Sequence, residues 1–224
     1  MTGFLAVFSE PGEQVALEEF HDWYDNEHIP LRLNHLTSFL SGVRYHAADG
    51  KQPGWVAMYE IDGVASLYDP SYTALRDNRS ERERILVQKL GVLDRRICEV
   101  IRDSGEQRSK STGFRLGSPS NALVTFELST EPEEGVFDEW ARKLRDLHGW
   151  VRTRVVKSPD VVVTGIDDVL KAKPVQDYLV ITELVSEDDY EAFESSIRTL
   201  EVESADIRRW DFYRAYPSIA QSNV

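Results

Sequence analysis

The chain has 224 residues, a net charge of −13 and one cysteine. That length fits one large domain or two of about 100 residues, and the dispersed acidic charge disfavours nucleic acid and anionic membrane as partners. A lone Cys98 excludes an intrachain disulfide, thiolate zinc clusters and Cys-x-x-Cys chemistry, and fits a reducing, cytoplasmic setting.

In chain order, Phe4 to Phe8 is an uninterrupted apolar run bounded by Pro11-Gly12 and reads as a strand, not a signal peptide. From Val15 to about His28, Ala16, Leu17, Phe20, Trp23 and Tyr24 recur at helical spacing, and Pro30 ends the helix. Phe39 to Ala47 and Trp55 to Ile61 read as strands around Asp49-Gly50 and Pro53-Gly54. Tyr72 to Leu90 is expected to be mostly helical and Leu93 to Ile101 a closing strand. The order is β-α-β-β-α-β.

A Ser-, Gly- and charge-rich stretch reads as a linker, and the same order then returns. Ala122 to Leu128 is a strand and Val136 to Leu147 a helix with Phe137, Trp140, Leu144 and Leu147 on one face. Trp150 to Val156 and Tyr178 to Leu184 are strands, Tyr190 to Leu200 a helix and Ile207 to Tyr213 the last strand. Residues 160–174 have no match in the first half, and Val161-Val162-Val163 there suits either an extra edge strand or a strand extension. The expected boundaries are 1–103 for the first repeat, 104–120 for the linker and 121–217 for the second repeat. Each repeat makes an α+β ferredoxin-like unit, a four-stranded antiparallel sheet with two helices on one face. Because the first strand alternates no polar residues, both its faces are expected to be buried, one by helices and one by a second sheet. Two sheets closing face to face into a barrel, with helices outside, satisfy this.

The two copies differ in chemistry. The Phe-x-x-Trp spacing of Phe20 and Trp23 recurs in Phe137 and Trp140, but Tyr24 gives way to Ala141 and His28 to Arg145. The string Trp23-Tyr24-Asp25-Asn26-Glu27-His28-Ile29-Pro30, on the first helix of a βαββαβ unit, resembles the EthD-like branch of the dimeric α+β barrel superfamily. The resemblance spans the first repeat and extends to the second in fold pattern only. It implies a fused, single-chain version of a barrel commonly built by two chains. It also implies membership of a chemically varied group: cofactor-free cyclases and oxygenases of aromatic polyketides, isomerases, haem-dependent members and stress proteins. Some EthD-like members are associated with decarboxylation or dehydration of aromatic intermediates.

On a regular helix His21, Asp25 and His28 share one face, with His28 in the last turn at the border of the apolar stripe. His28 is therefore the candidate general acid or base, Asp25 the residue that orients it, and Tyr24 a hydrogen-bonding group for a substrate oxygen. Substrate-binding candidates are Tyr45 and His46 on the second strand, Tyr59 on the third, and Tyr72 and Arg76 near the second helix; Arg79 pairs with Arg76 as an anion-binding option. The structural alternative makes His28 a helix-ending residue bound to carbonyls, and makes the arginines a solvated helix face. A metal on His21, Asp25 and His28 would strain the geometry, and neither His28 nor His35 carries a haem signature, so no cofactor is expected. Gly-x-Gly-x-x-Gly and Gly-x-Ser-x-Gly motifs are absent.

The leading reading is a cofactor-independent lyase or cyclase performing decarboxylation, dehydration, cyclisation or isomerisation on an aromatic or polyketide-like small molecule. One rival is a cofactor-free monooxygenase using the same pocket; the other is a non-catalytic ligand-binding or stress-response barrel. A homodimer is compatible with the sequence but no motif specifies one.

Overall fold

The computed structural model describes residues 2–198 and 206–224. Eight strands form one closed antiparallel barrel: β1 (Gly3–Glu10), β2 (Phe39–Ala47), β3 (Trp55–Ile61), β4 (Val92–Asp103), β5 (Ala122–Leu128), β6 (Trp150–Thr164), β7 (Tyr178–Leu184) and β8 (Arg208–Ala215). The order around the barrel is β1-β3-β2-β8-β5-β7-β6-β4. Each half thus contributes the ferredoxin-like order, 4-1-3-2 in the first and its equivalent in the second. The halves join along two seams, β2 with β8 (Tyr45 opposite Phe212) and β4 with β6 (Leu93 opposite Thr164 through Asp103 opposite Arg154). Closure removes the sheet edges that either half would otherwise expose.

Seven α-helices accompany the strands among the described residues: α1 (Leu17–Trp23), α2 (Pro30–Leu33), α3 (Pro70–Asp77), α4 (Glu81–Lys89), α5 (Glu134–Arg145), α6 (Asp168–Lys171) and α7 (Tyr190–Arg198). The helix expected over 72–90 is two helices, the first begun before residue 72 by the Asp69 N-cap and the second by an N-cap at Ser80 within the span. The Asp69 carboxylate accepts from Ser71 N and Pro70 opens α3, while Ser80 Oγ accepts from Glu83 N to open α4. The last residues of the helix expected over 190–200 lie outside the described residues.

Strand alternation sorts side chains into three cores. Leu5 and Val7 face the helices of the first repeat with Phe20, Trp23, Tyr59 and Tyr72. Phe4, Ala6 and Phe8 face the barrel interior with Tyr45, Met58, Leu179 and Trp210. Phe126, Phe137, Trp140 and Phe193 fill the helix side of the second repeat. Both faces of β1 are indeed buried. Cys98 lies in the interior core, where burial pushes its thiol up to about 11 and makes it a poor nucleophile.

The two barrel ends are closed differently. At one end the segment between β4 and β5 folds over the opening and inserts Phe114, whose ring lies 6.1 Å from Phe4 and 6.2 Å from Tyr45. Tyr45 OH donates to Ser120 O at 2.8 Å, and a buried ion cluster of Glu60, Arg152, Arg154 and Glu183 sits beneath. At the other end the β6–β7 connection carries the unmatched residues and α6. Val161, Val162 and Val163 extend β6 along β4. The connection is anchored by Ile166 N to Leu90 O at 3.0 Å and Asp167 N to Gly91 O at 2.9 Å.

Gly165 makes that anchor possible. Its φ is +139°, and a Cβ there would stand 2.2 Å from Gly91 O. Gly165→Ala is expected to cost about 1–3 kcal/mol in backbone strain, and so to lower the melting temperature by roughly 2–12 °C by thermal denaturation. An unchanged transition would show that the anchor contributes nothing.

Candidate active site

The first helix does not continue regularly into His28. Residues Tyr24–His28 form a π turn, closed by Ile29 N donating to Tyr24 O at 3.0 Å. A π turn accommodates an extra residue, about 100° of helical rotation, so the shared face of His21, Asp25 and His28 is split. His21 and Asp25 turn toward β2 and β8. His28 turns toward α4.

There the His28 Nδ1 lies 3.0 Å from Glu83 Oε1, and the Glu83 side chain is 2 % exposed. Glu83 is also held by Arg79 Nε at 3.3 Å. Trp23 and Tyr24 pack on the imidazole with ring centroids at 4.5 and 5.3 Å. Arg32, itself buried, donates to the His28 carbonyl oxygen. Burial, and then the Arg32 charge, push the His28 imidazole down to about 4 despite Glu83. Burial opposes ionisation of Glu83, but His28, Arg32 and Arg79 outweigh it and keep the carboxyl below its ordinary value. At neutral pH the pair is therefore a neutral imidazole donating Nδ1–H to a carboxylate. Its Nε2 makes no hydrogen bond among the described residues. That is the arrangement of an oriented general base.

Glu83, and not Asp25, is thus the partner of His28. The Asp25 carboxylate accepts from Arg44 Nη1 at 2.8 Å, Tyr213 OH at 3.0 Å, Arg214 Nη1 at 3.2 Å and Tyr216 OH. Burial raises its pKa, but these donors overcome that and hold it below the usual carboxylate range. Arg44 is 1 % exposed and sits among the rings of Tyr24, Tyr213, Phe20 and Trp55, 4.3 to 5.2 Å from their centroids. Its Nη2 lies 3.1 Å from His21 Nδ1. This network ties the first helix to the last strand of the second repeat. It consumes His21 and Asp25, which leaves the triplet with His28 no common metal position.

Beside the dyad, several of the remaining candidates converge. Phe39 touches both Tyr59 and Tyr72, with centroids at 5.6 and 5.5 Å. Arg32 and Arg95 each lie 5.8 Å from the Tyr72 ring, and Arg95 Nη2 donates to Tyr72 OH at 3.4 Å. Burial disfavours the Tyr72 phenolate, but Arg32 and Arg95 more than compensate, and its pKa falls below the ordinary value. Burial and the nearby Arg95 charge depress Arg76. Among the described residues Arg32, Arg76 and Arg95 have no carboxylate within ion-pairing distance. Tyr59 OH is buried without a hydrogen-bond partner, as are Trp23 Nε1 and Arg95 Nε. Tyr24 OH donates to Ser9 Oγ at 3.4 Å. An excess of positive charge with unpaired donors suits an oxyanion. Tyr24, His28, Tyr59, Tyr72 and Arg76 are therefore brought to one region. Tyr45 lies apart in the barrel interior and His46 beside Trp55, with centroids at 5.8 Å. Glu83, Arg32 and Arg95 are additional: the Ser80-x-x-Glu83 spacing marks a helix start, but no local signal aims Glu83 at His28.

The equivalent place in the second repeat is filled structurally. Ala141 is buried, and the Arg145 guanidinium lies 5.6 Å from the Trp150 ring and donates to Ser104 O at 3.2 Å.

A separate cavity of about 350 Å³ opens at the barrel end under the β6–β7 connection. Phe8, Val92, Phe126, Leu179, Leu170 and Val175 give it apolar walls, and Asp94, Arg96 and Glu127 a polar one. None of its lining residues is a histidine, cysteine, methionine or tyrosine, so it does not fit a haem needing an axial ligand.

No family model matches the sequence, and no curated protein matches it. Solved structures do match the fold. An anthrone oxidase-like protein aligns over 96 % of this chain and 92 % of its own, with a TM-score of 0.59 at 10 % identity. A protein assigned as a chlorite dismutase aligns over 95 % of this chain and 96 % of its own, with a TM-score of 0.58 at 12 % identity. A protein assigned as a monooxygenase from Lactobacillus acidophilus aligns over 96 % of each chain, with a TM-score of 0.50 at 8 % identity. The class so defined is the dimeric α+β barrel fold, closed here within one chain. No helix among the described residues is long and apolar enough to cross a membrane.

Proposed function

We propose that this chain is a cofactor-independent acid/base enzyme of the EthD-like branch, acting on an aromatic or polyketide-like molecule at the first repeat. One observation carries the reading: His28 Nδ1 is held by the buried Glu83 carboxylate while, among the described residues, Nε2 is free and Arg32 and Arg95 lack carboxylate partners. Nε2 removes a proton from carbon activated by a conjugated carbonyl, as in a ketone or the keto tautomer of a phenol. The resulting enolate or phenolate oxygen is stabilised by Arg32, Arg95 and Tyr72. A pKa near 4 leaves little imidazolium at neutral pH, which favours deprotonation-led reactions such as dehydration, cyclisation or isomerisation over decarboxylation by a histidine acid.

Anthrone, a tricyclic ketone with an acidic methylene, is a suitable probe of this step. In deuterium oxide without oxygen, the wild-type chain is expected to accelerate exchange of the anthrone methylene protons. His28→Gln should lose on the order of 10²–10⁴ of that acceleration. If wild type and His28→Gln exchange alike, His28 is not the base. Admitting oxygen then separates the rivals: consumption of one O₂ per anthrone, giving anthraquinone and water, identifies the oxygenase reading, and exchange without oxygen uptake the lyase or cyclase reading.

A further inference from the structure

The barrel cavity differs from the His28 region in chemistry. Its volume of about 350 Å³ falls within the range of small-molecule sites. All but one of its charges are already paired. Arg96 donates through Nε and Nη2 to Asp94 and through Nη1 to Glu127 Oε1 at 2.6 Å. Glu127 Oε2 accepts from Gln176 N at 2.8 Å. Arg208 Nε donates to Asp49 Oδ2 at 2.7 Å, and Asp206 pairs with Lys51. Among the described residues the one lining cation without a carboxylate is Lys173, whose Nζ instead donates to Gln52 O at 2.6 Å and links the β6–β7 connection to the β2–β3 hairpin. A ligand carboxylate would have only Lys173, on the cover, to pair with, and would otherwise face the Asp94 and Glu127 carboxylates inside a chain of net charge −13. A neutral molecule disturbs none of these pairings. On the inner wall, Thr125 Oγ1 accepts from Trp210 Nε1 at 2.9 Å, and its own hydroxyl hydrogen is uncommitted among the described residues.

The cover over this cavity is specific to the second repeat. The β2–β3 hairpin turns directly through Ala48 to Gly54, whereas the equivalent β6–β7 connection adds α6 and brings Leu170, Lys173, Pro174 and Val175 over the opening. Two hydrogen bonds hold its far side, Lys173 Nζ to Gln52 O and Gln176 N to Glu127 Oε2.

We infer that the barrel interior is a second ligand site, taking a neutral, largely apolar molecule with a hydrogen-bond-accepting oxygen, covered by residues 165–177. The apolar body lies against Phe8, Val92 and Leu179, and the oxygen accepts from Thr125. The site is independent of the function proposed for His28.

Calorimetric titration of the full chain with 2-acetonaphthone, against 2-naphthoate of nearly the same shape, tests this. The ketone is expected to bind one to one, and at least about tenfold tighter than the carboxylate, as a charge set against a closed ion network demands. Val175→Trp, which fills the opening, should abolish binding, and His28→Gln should leave it unchanged. Bound ketone should also slow tryptic cleavage after Lys171 in the wild-type chain, a readout that stands even if Val175→Trp does not fold. The inference is overturned by absence of saturable ketone binding, by equal or tighter carboxylate binding, by normal binding to folded Val175→Trp, by loss of binding in His28→Gln, or by unchanged cleavage after Lys171.

Discussion

Replacing Arg154 with methionine is expected to lower the melting temperature by roughly 6–20 °C, the loss of about 3–5 kcal/mol that follows removal of one member of a buried ion cluster. Arg154 is 1 % exposed and bridges two carboxylates from opposite halves of the barrel, Glu60 Oε1 at 2.9 Å and Glu183 Oε1 at 2.6 Å. The two acids are not equivalent. Burial raises Glu60, but Arg154, Arg152, Ser41 and Arg115 outweigh it and hold its pKa low. Glu183 is 1 % exposed, and burial wins over Arg154 and Arg152, so its carboxyl stands above its ordinary value. Without Arg154 that carboxylate keeps, among the described residues, only Ser120 Oγ at 3.1 Å as a hydrogen-bonding partner. A raised folded pKa stabilises the fold most below the unfolded value, near pH 4, and that contribution is lost as pH rises through the folded value. The damage in Arg154→Met should therefore be larger at pH 7 than at pH 4.5, and Glu183→Gln added to it should restore part of the loss at pH 7. Thermal denaturation of the wild type and the two variants at both pH values measures this; a loss independent of pH and unrelieved by the second change would place the effect in packing around Phe4 and Phe114 instead.

This cluster also explains why the segment between the repeats is not a free tether. Its Ser, Gly and charge content looks like solvated linker, and of its two large apolar residues, Phe114 and Leu116, only Phe114 is buried. Phe114 becomes a plug because Phe4, Tyr45 and the Arg154 guanidinium, 4.6 Å from the Phe114 ring, form a socket that exists only once both sheets have closed. Features carried by short-range periodicity were legible beforehand: the doubled element order and the two-sided burial of β1. Val161-Val162-Val163 was legible as strand, but pairing with β4 decides that it extends β6 and is not a separate edge strand. Features set by tertiary partners were not. Nothing within the string from Trp23 to Pro30 announces a π turn, so regular helical geometry groups Asp25 with His28. In the folded chain Arg44, Tyr213 and Tyr216 claim Asp25, and Glu83 arrives from a helix 55 residues away. Arg44 was the available clue, a charged residue at a buried position of a strand whose partner had to come from elsewhere.

The asymmetry between the repeats then has a thermodynamic signature that the second half lacks. His28 titrates near 4 in the fold, against about 6.5 for an unperturbed histidine. Between those values the unfolded chain binds the proton and the folded chain does not, so stability rises with pH across the window. The contribution is complete above about pH 6.5 and is lost as pH falls through about 4, with an upper limit of about 3 kcal/mol. Glu83, whose folded pKa is also depressed, adds loss in the same direction at the lower end. His28→Gln keeps an amide donor for the Glu83 carboxylate but cannot take up a proton, so its stability should rise less steeply between pH 4 and 6.5, by up to one proton's worth of slope. Denaturant midpoints at half-unit pH intervals measure that difference. Parallel curves for the two proteins would mean that His28 titrates alike in the folded and unfolded chains, and the burial that makes it a neutral base at pH 7 would have to be abandoned. Arg145→Gln, at the matching position of the second repeat, changes no group that titrates in this range and should leave the slope of the wild type intact.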